Sequence, residues 1–467
     1  MPGSSPDPLH IERGCVQAPA GCGKTYLIAD SLKRNTTSKP ILVLTHTNAA
    51  VAALRKNLDR EDVPRANYRL ATIDGWAMRM IGTFPQRSGA TPEALSKPDY
   101  PTIKDAAIRL LRGRHIDAVL AANYSRLLVD EYQDCLQKQH AIVCELARTL
   151  PTCIFGDVLQ GIFNFGDVPV DWNSVVLRDF PLKAELDTAW RWCNAGCKDL
   201  GNWLLSIRPV LAAGGKIDLS ETPPELEWVK ISGANDFEAI LKATHHLPEF
   251  CRNSLIVCDG RNKTRQQDIA RKTKGASTVE NADLSDLTAF AKTFRFNAED
   301  ATEVLIVQAS KLLRNLGSSN DLKQRFATLK SGTNRNPPTE AEQAVLAFNE
   351  ERTPRSAARM LSALGNQTGV SPFRKEVFGN LLKALNSTQD PKEFFDMAVR
   401  AREDRRFHSR SLGRISVGST LLVKGLEADQ AVIVDAESLN SKNLYVALTR
   451  GAKRIVVCSQ SQHLPVV

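Results

Sequence analysis

The 467-residue sequence predicts an α/β protein with two parallel sheets, the second interrupted by an all-helical block. Three observations predict it. A glycine loop, Ala18-Pro19-Ala20-Gly21-Cys22-Gly23-Lys24-Thr25, separates an apolar run ending at Val16 from a segment whose Leu27, Ile28 and Leu32 recur at helical spacing. Short aliphatic runs with polar tips then alternate with helical periods. From about residue 276 to 410 that alternation stops, and afterwards it resumes.

Length and composition set the bounds. A chain of 467 residues exceeds what one hydrophobic core supports, so more than one domain is expected. Lys and Arg number 61 against 52 for Asp and Glu, a net charge of +9 that permits a polyanionic partner without requiring one. The ten cysteines show no C-x-x-C pair, and the one close pair, Cys193 and Cys197, falls in a helical-looking stretch. They read as reduced, mostly buried thiols, and soft ligands at the short spacing of a metal cluster are missing. The N-terminal stretch is not signal-like and no run stays apolar for 18 residues, so a soluble, cytoplasmic protein without membrane contact is expected.

Taken in order, strand, glycine loop and helix are the context of a phosphate-binding loop. Gly21 and Gly23 let the backbone present N–H groups to a phosphate at a helix N-terminus, Lys24 reaches the β- and γ-phosphates, and the Thr25 hydroxyl suits Mg²⁺. Ile41–Leu44 and Tyr68–Thr72 read as strands, with polar residues Thr45-His46-Thr47-Asn48 at the first tip. Residues 82 to 124 carry four prolines and read as a small insertion at the sheet edge. Arg126–Val129 is an apolar strand that runs straight into Asp130-Glu131, one carboxylate for the metal and one to orient or deprotonate water. Thr152–Phe155 is the next strand, tipped by Gly156-Asp157-Val158-Leu159-Gln160. Behind it Phe163 and Phe165 form either a stacking platform or part of a core.

A second α/β half is expected from about residue 182, with strands near 227–231, 255–258, 415–422, 431–434 and 454–457 and a helix over 443–450. The helical block between them ends in Arg400, Arg402, Arg405, Arg406, Arg410 and Arg414 against only Glu403 and Asp404, a run that either grips phosphates or is a solvated face.

The ordered set resembles the UvrD/Rep family of superfamily 1 helicases. The matching stretches are Ala18–Thr25, Thr45–Ala50, Asp130–Asp134, Gly156–Phe165, Trp190-Arg191, Lys424–Glu427 and Tyr445–Arg450. The resemblance implies two RecA-like P-loop NTPase domains. Residues 1–184 would form the first, with a small insertion at 82–124. Residues 185–275 and 411–467 would form the second, around a helical insertion at 276–410. It implies ATP and Mg²⁺ as cofactors, with Ala20, Gly21, Cys22, Gly23, Lys24 and Thr25 on the nucleotide and Thr25 and Asp130 on the metal. Glu131 would activate water, Gln160 would sense the γ-phosphate, and Arg191 and Arg450 would meet the transition-state charge. Thr47, Phe163, Phe165 and Glu427 match positions that touch nucleic acid.

Some positions depart from the family pattern. Thr72-Ile73-Asp74-Gly75-Trp76 puts an acid where a strand contact is expected, Leu421-Leu422 replaces a His-Ser pair, and Gly166 replaces an arginine. The implied function is an ATP-dependent DNA helicase or translocase moving 3′ to 5′ on single-stranded or partly duplex DNA. The alternatives are a nucleic-acid-stimulated ATPase switch acting with a nuclease partner, as in Gabija-type anti-phage defence, and an RNA helicase. The residues after Arg450 are expected to be too few for a fused nuclease.

Overall fold

Six short strands form the first sheet: β1 (Arg13–Gln17), β2 (Ile41–Thr45), β3 (Tyr68–Thr72), β4 (Leu127–Val129), β5 (Thr152–Gly156) and β6 (Leu182–Glu185). Their order is β3-β2-β4-β5-β1-β6 and every pairing is parallel. A computed structural model describes residues 6–89, 99–163, 169–233, 236–333, 335–406 and 412–466. β2, β4 and β5 are buried at every position, as continuous aliphatic runs covered on both faces must be. On one face α1 (Lys24–Lys33) and α2 (Asn48–Arg60) pack through Leu27, Ile28, Leu32, Leu54 and Leu58. On the other lie α3 (Ile73–Thr83) and the helix Gln137–Leu146.

The stretch expected to be an insertion at the sheet edge is part of this core. The helix Tyr100–Arg112 packs on α3 and on Gln137–Leu146, burying Ile103, Ala106, Ala107, Leu110 and Leu111. The prolines misled because Pro101 sits in the first turn of that helix, where proline is tolerated.

After β7 (Ile217–Asp218) comes the second sheet, made of β8 (Leu226–Lys230), β9 (Ser254–Cys258), β10 (Ala276–Thr278), β13 (Ile415–Ser419), β14 (Ala428–Ile433) and β15 (Gly451–Ser459) in the order β10-β13-β9-β14-β15-β8. The pairings β10–β13, β13–β9 and β9–β14 are parallel. The protein is thus α/β with two six-stranded sheets, as two RecA-like domains require. The strand expected over 415–422 stops at Ser419, whose side chain accepts from Leu422 N and starts the helix Thr420–Val423.

Between β10 and β13 runs the helical block, which among the described residues has seven α-helices from Ser285 to Arg406 and an antiparallel pair of two-residue strands, β11 (Leu313–Arg314) and β12 (Ser371–Pro372). Its core holds Phe294, Phe296 and Phe394, whose rings meet edge to face at centroid distances of 4.9 to 6.3 Å. β16 (His463–Leu464) pairs antiparallel with β7. Among the described residues no helix is long and apolar enough to cross a membrane.

The chain divides into two compact units. One comprises Met1–Leu226, Leu439–Lys453 and Gln462–Val467; the other comprises Glu227–Ser438 and Arg454–Ser461. Sequence periodicity assigns β6 and residues 186–226 to a second half. In the structure β6 closes the edge of the first sheet, and 186–226 and Leu439–Lys453 pack with the P-loop's unit.

Phe348 is fully buried in the helical block. Truncating it as Phe348→Ala is expected to cost about 3–5 kcal/mol, from the packing of the ring that is removed and the cavity left behind. A urea titration of the helical-block transition checks this, through a lower midpoint at unchanged slope.

Candidate nucleotide site

Parallel strands present their carboxyl ends on one side, and the order β4-β5-β1 sets three tips next to one another there. After β1 the chain turns through Gly21 and Gly23, both at positive φ (71° and 88°), and enters α1 at Lys24. Gly23 is the N-cap residue of α1, so the loop's N–H groups and the positive end of the helix dipole meet at Lys24 and Thr25. Within the loop, Ala20 and Cys22 are buried. Burial pushes the Cys22 thiol up to about 12, which keeps it protonated and unreactive at neutral pH.

From β4 come Asp130 and Glu131. Lys24 Nζ lies 2.9 Å from Asp130 Oδ1 and also donates to Glu131 Oε1. Burial alone would lower the Lys24 pKa, but the two carboxylates outweigh it and hold the ammonium charged well above its usual range. Burial and the neighbouring Glu131 charge raise the Asp130 carboxyl, so a further cation here would relieve repulsion between two acids. Glu131 adopts φ 56°, a left-handed conformation that costs a non-glycine residue of order 1–3 kcal/mol and that clusters at functional sites.

The β5 tip completes the arrangement. Gln160 lies in the short 3₁₀ turn Val158–Gln160 and donates from Nε2 to Asp157 Oδ2 at 2.9 Å. Gln133, which the sequence reading did not single out, joins the two tips. Its Oε1 accepts from Asp157 N at 3.1 Å and its Nε2 donates to Glu131 Oε2 at 2.5 Å.

Arg191 and Arg450 are in the same unit as the P-loop. Arg191 N donates to Gly21 O at 3.0 Å and its Nη1 donates to Thr449 O at 2.6 Å, so the glycine loop and the turn after the helix Ser441–Leu448 share one arginine. Trp192 Nε1 donates to Gly451 O at 2.9 Å beside it. Arg450 is 2% exposed, with Nε on Val446 O at 2.8 Å and Nη2 on Thr449 Oγ1 at 2.9 Å, both within its own helix end. Trp190, also not singled out as a site residue, is 51% exposed, and a Cβ on Gly23 would come within 3.2 Å of its ring. It is an aromatic face beside the loop.

Thr47 Oγ1 accepts from Ala50 N and caps α2, a structural task that its place at a strand tip did not reveal. Phe163 is half-buried, and Phe165 lies outside the described residues. Glu427 is exposed just before β14, in the other unit. Asp74, the acid in an unexpected place, sits in the first turn of α3, where it accepts from Gln139 Nε2 at 3.1 Å and lies 3.9 Å from the buried Lys104 ammonium. A partner inside the core accounts for the acid.

Behind Glu131, Tyr132 OH is 2.8 Å from His140 Nδ1, and His140 Nε2 is 3.0 Å from Asp179 Oδ2 and 3.4 Å from Cys144 Sγ. Arg178 Nε donates to Asp179 Oδ1 at 3.0 Å and Arg13 Nε to Asp179 O at 2.7 Å. The Arg178 guanidinium and the His140 ring already answer the carboxylate while Arg13 holds the Asp179 backbone, so this cluster is a hydrogen-bonded support for the Tyr132 segment rather than a cation site.

Fold and site together define a P-loop nucleotide-hydrolase domain. Residues 9–166, about a third of the chain, match the family model described as AAA domain, AAA_19. Curated proteins yield no match.

Gly21 tests the loop. A Cβ there would come 2.6 Å from the Trp192 ring, at a φ that side chains avoid. Gly21→Ala is expected to lower the melting temperature and weaken nucleotide binding at least about tenfold, since loop backbone and Arg191 must both shift. Calorimetric titration with ATP against wild type measures it.

Proposed function

We propose that this chain is an ATP-dependent motor of the UvrD/Rep type that couples hydrolysis to movement, 3′ to 5′, on single-stranded DNA in the cytoplasm. The observation that carries the reading is the convergence of Lys24, Asp130, Glu131 and Gln160 at three adjacent tips of one parallel sheet. In this reading the loop from Ala20 to Thr25 holds the phosphates, Lys24 leaves the two carboxylates for the β- and γ-oxygens, and Trp190 offers the base a stacking face. Oxygen donors suit Mg²⁺, which is held by one or two carboxylates together with substrate phosphates. The Thr25 hydroxyl and the buried Asp130 carboxylate are such a set, and Asp130 already stands in a site with surplus negative charge. Bound there, the ion would neutralise charge developing on the transferred phosphoryl group. Glu131, held by Gln133, orients or deprotonates the attacking water, and Arg191 and Arg450 answer the transition-state charge.

A second reading is favoured by Thr47 and Asp74, two positions at the expected strand path whose side chains have structural partners. It is a nucleic-acid-stimulated ATPase switch that reports occupancy to a nuclease partner, as in anti-phage defence. Turnover with and without single-stranded DNA or RNA, beside strand displacement on a tailed duplex of each, separates the readings. A motor displaces strands, a switch is stimulated without displacing them, and an RNA helicase prefers the RNA substrates.

Two variants test the chemistry. Lys24→Ala leaves Asp130 and Glu131 facing each other and removes a phosphate ligand, so it should lose both turnover and ATP affinity. Glu131→Gln should keep ATP affinity and lose turnover by about 10²–10⁴, the scale of one general base. Steady-state turnover and equilibrium ATP binding on the same preparations read both, and near wild-type turnover in Glu131→Gln would remove the assignment.

The arginine run contributes less than its count. Arg402 Nη2 is 2.6 Å from Glu403 and Arg405 Nη2 is 2.6 Å from Glu376. Arg400 and Arg414 are exposed. Replacing both by Gln is expected to flatten the log–log salt dependence of single-strand affinity by about 0.7 for each phosphate no longer neutralised. Fluorescence anisotropy across a salt series measures that slope, and an unchanged slope returns the run to a solvated face.

A further inference from the structure

Asp157 is completely buried, and an isolated carboxylate there would be prohibitively costly. Its oxygens accept from Leu159 N at 3.2 Å, from Gln160 Nε2 at 2.9 Å, and from Nη1 and Nη2 of Arg208 at 2.9 and 2.8 Å. Arg208 is buried as well, in the segment Arg208–Ala212. Its Nη1 also donates to Tyr445 OH at 2.6 Å, and its guanidinium stands 5.0 Å from the centre of that ring. Burial raises the Tyr445 pKa, so its hydroxyl stays neutral. Tyr445 is in the helix Ser441–Leu448, one turn before Thr449, which takes Arg191 and Arg450. All these residues belong to one compact unit.

We infer that Arg208 is the positioning residue of the hydrolytic site: clamped between the Asp157 carboxylate and the Tyr445 hydroxyl, it sets Gln160, and through the Asp157 amide and Gln133 it sets Glu131. The inference rests on the NTP hydrolysis proposed above. The geometry gives Asp157 two outputs, its carboxylate to the Gln160 amide and its backbone N–H to Gln133, which holds Glu131. Arg208 is the group that fixes Asp157, because its planar fork spans both carboxylate oxygens. Tyr445 orients the fork and ties it to the helix that leads to Arg450. A buried ion pair is weak as a source of stability, yet it holds its members in one register. Register is what a group acting on water needs, since a displacement of about 1 Å can cost of order 10² in rate. The sequence signal was one arginine inside the apolar run Trp203-Leu204-Leu205-Ser206-Ile207-Arg208-Pro209-Val210-Leu211.

The test compares wild type, Arg208→Lys and Tyr445→Phe for kcat, KM, ATP affinity and melting temperature. A lysine keeps the charge but cannot span both oxygens, so kcat should fall about 10- to 100-fold with ATP affinity within about threefold. Tyr445→Phe keeps the ring under the guanidinium and should lower kcat a few-fold, also without loss of affinity. A purely structural role would instead lower the melting temperature and the active fraction while the folded fraction kept its kcat. That result, or kcat within twofold of wild type in Tyr445→Phe and in any folded Arg208→Lys, overturns the inference. Should Arg208→Lys fail to fold, Tyr445→Phe decides alone. If wild type turns over ATP and Lys24→Ala does not, failure of these two variants leaves the hydrolase reading standing. A wild-type chain that hydrolyses no nucleotide overturns both.

Discussion

In the first sheet β5 lies between β4 and β1 with all three parallel, and the candidate chemistry depends on that constraint. Parallel order places the glycine loop, the two acids and the Asp157–Gln160 turn side by side, although about a hundred residues separate the first two in the chain. Strand burial enforces the order, because β2, β4 and β5 are largely apolar, are buried at every position and are stable only in the middle of a covered sheet.

Electrostatics then decides what the tips can do. One ammonium and two carboxylates share a site largely removed from water, and the lysine is held charged by the acids it faces. Phosphate oxygens and a metal ion would exchange partners with this set: the ammonium moves to phosphate and the acids to the cation. Each charge then keeps an opposite neighbour before and after binding, which a low-dielectric site demands. The left-handed backbone at Glu131 and the Gln133 bridge hold the second carboxylate close to the first.

Side chains with a partner inside the fold need another ground before they are assigned to a ligand. Thr47 caps a helix, Asp74 meets Gln139 and Lys104, and Arg405 meets Glu376. Arg450 donates within its own helix end, while Arg191 reaches from the glycine loop to Thr449 O and so joins two segments of the site.

The glycine loop, the acids after β4, the glutamine after β5 and the block of helices were legible in the sequence alone. Each is a local pattern: a turn that needs positive φ, an apolar run that stops at charge, or a 3.6-residue period. Partnership across the chain was not legible. Helix Tyr100–Arg112 in the core, β6 on the first sheet, and Leu439–Lys453 with the P-loop's unit are long-range packing choices that no window of residues contains. The same holds for Gln133, Asp157, Arg208 and Tyr445, because a buried polar group is defined by the partner it finds, and here the partners are up to 237 positions apart. Local spacing determines which elements form and which polar groups stand at their tips. Only the tertiary structure decides which buried charge answers which, since the energy of that choice comes from desolvation inside the assembled fold.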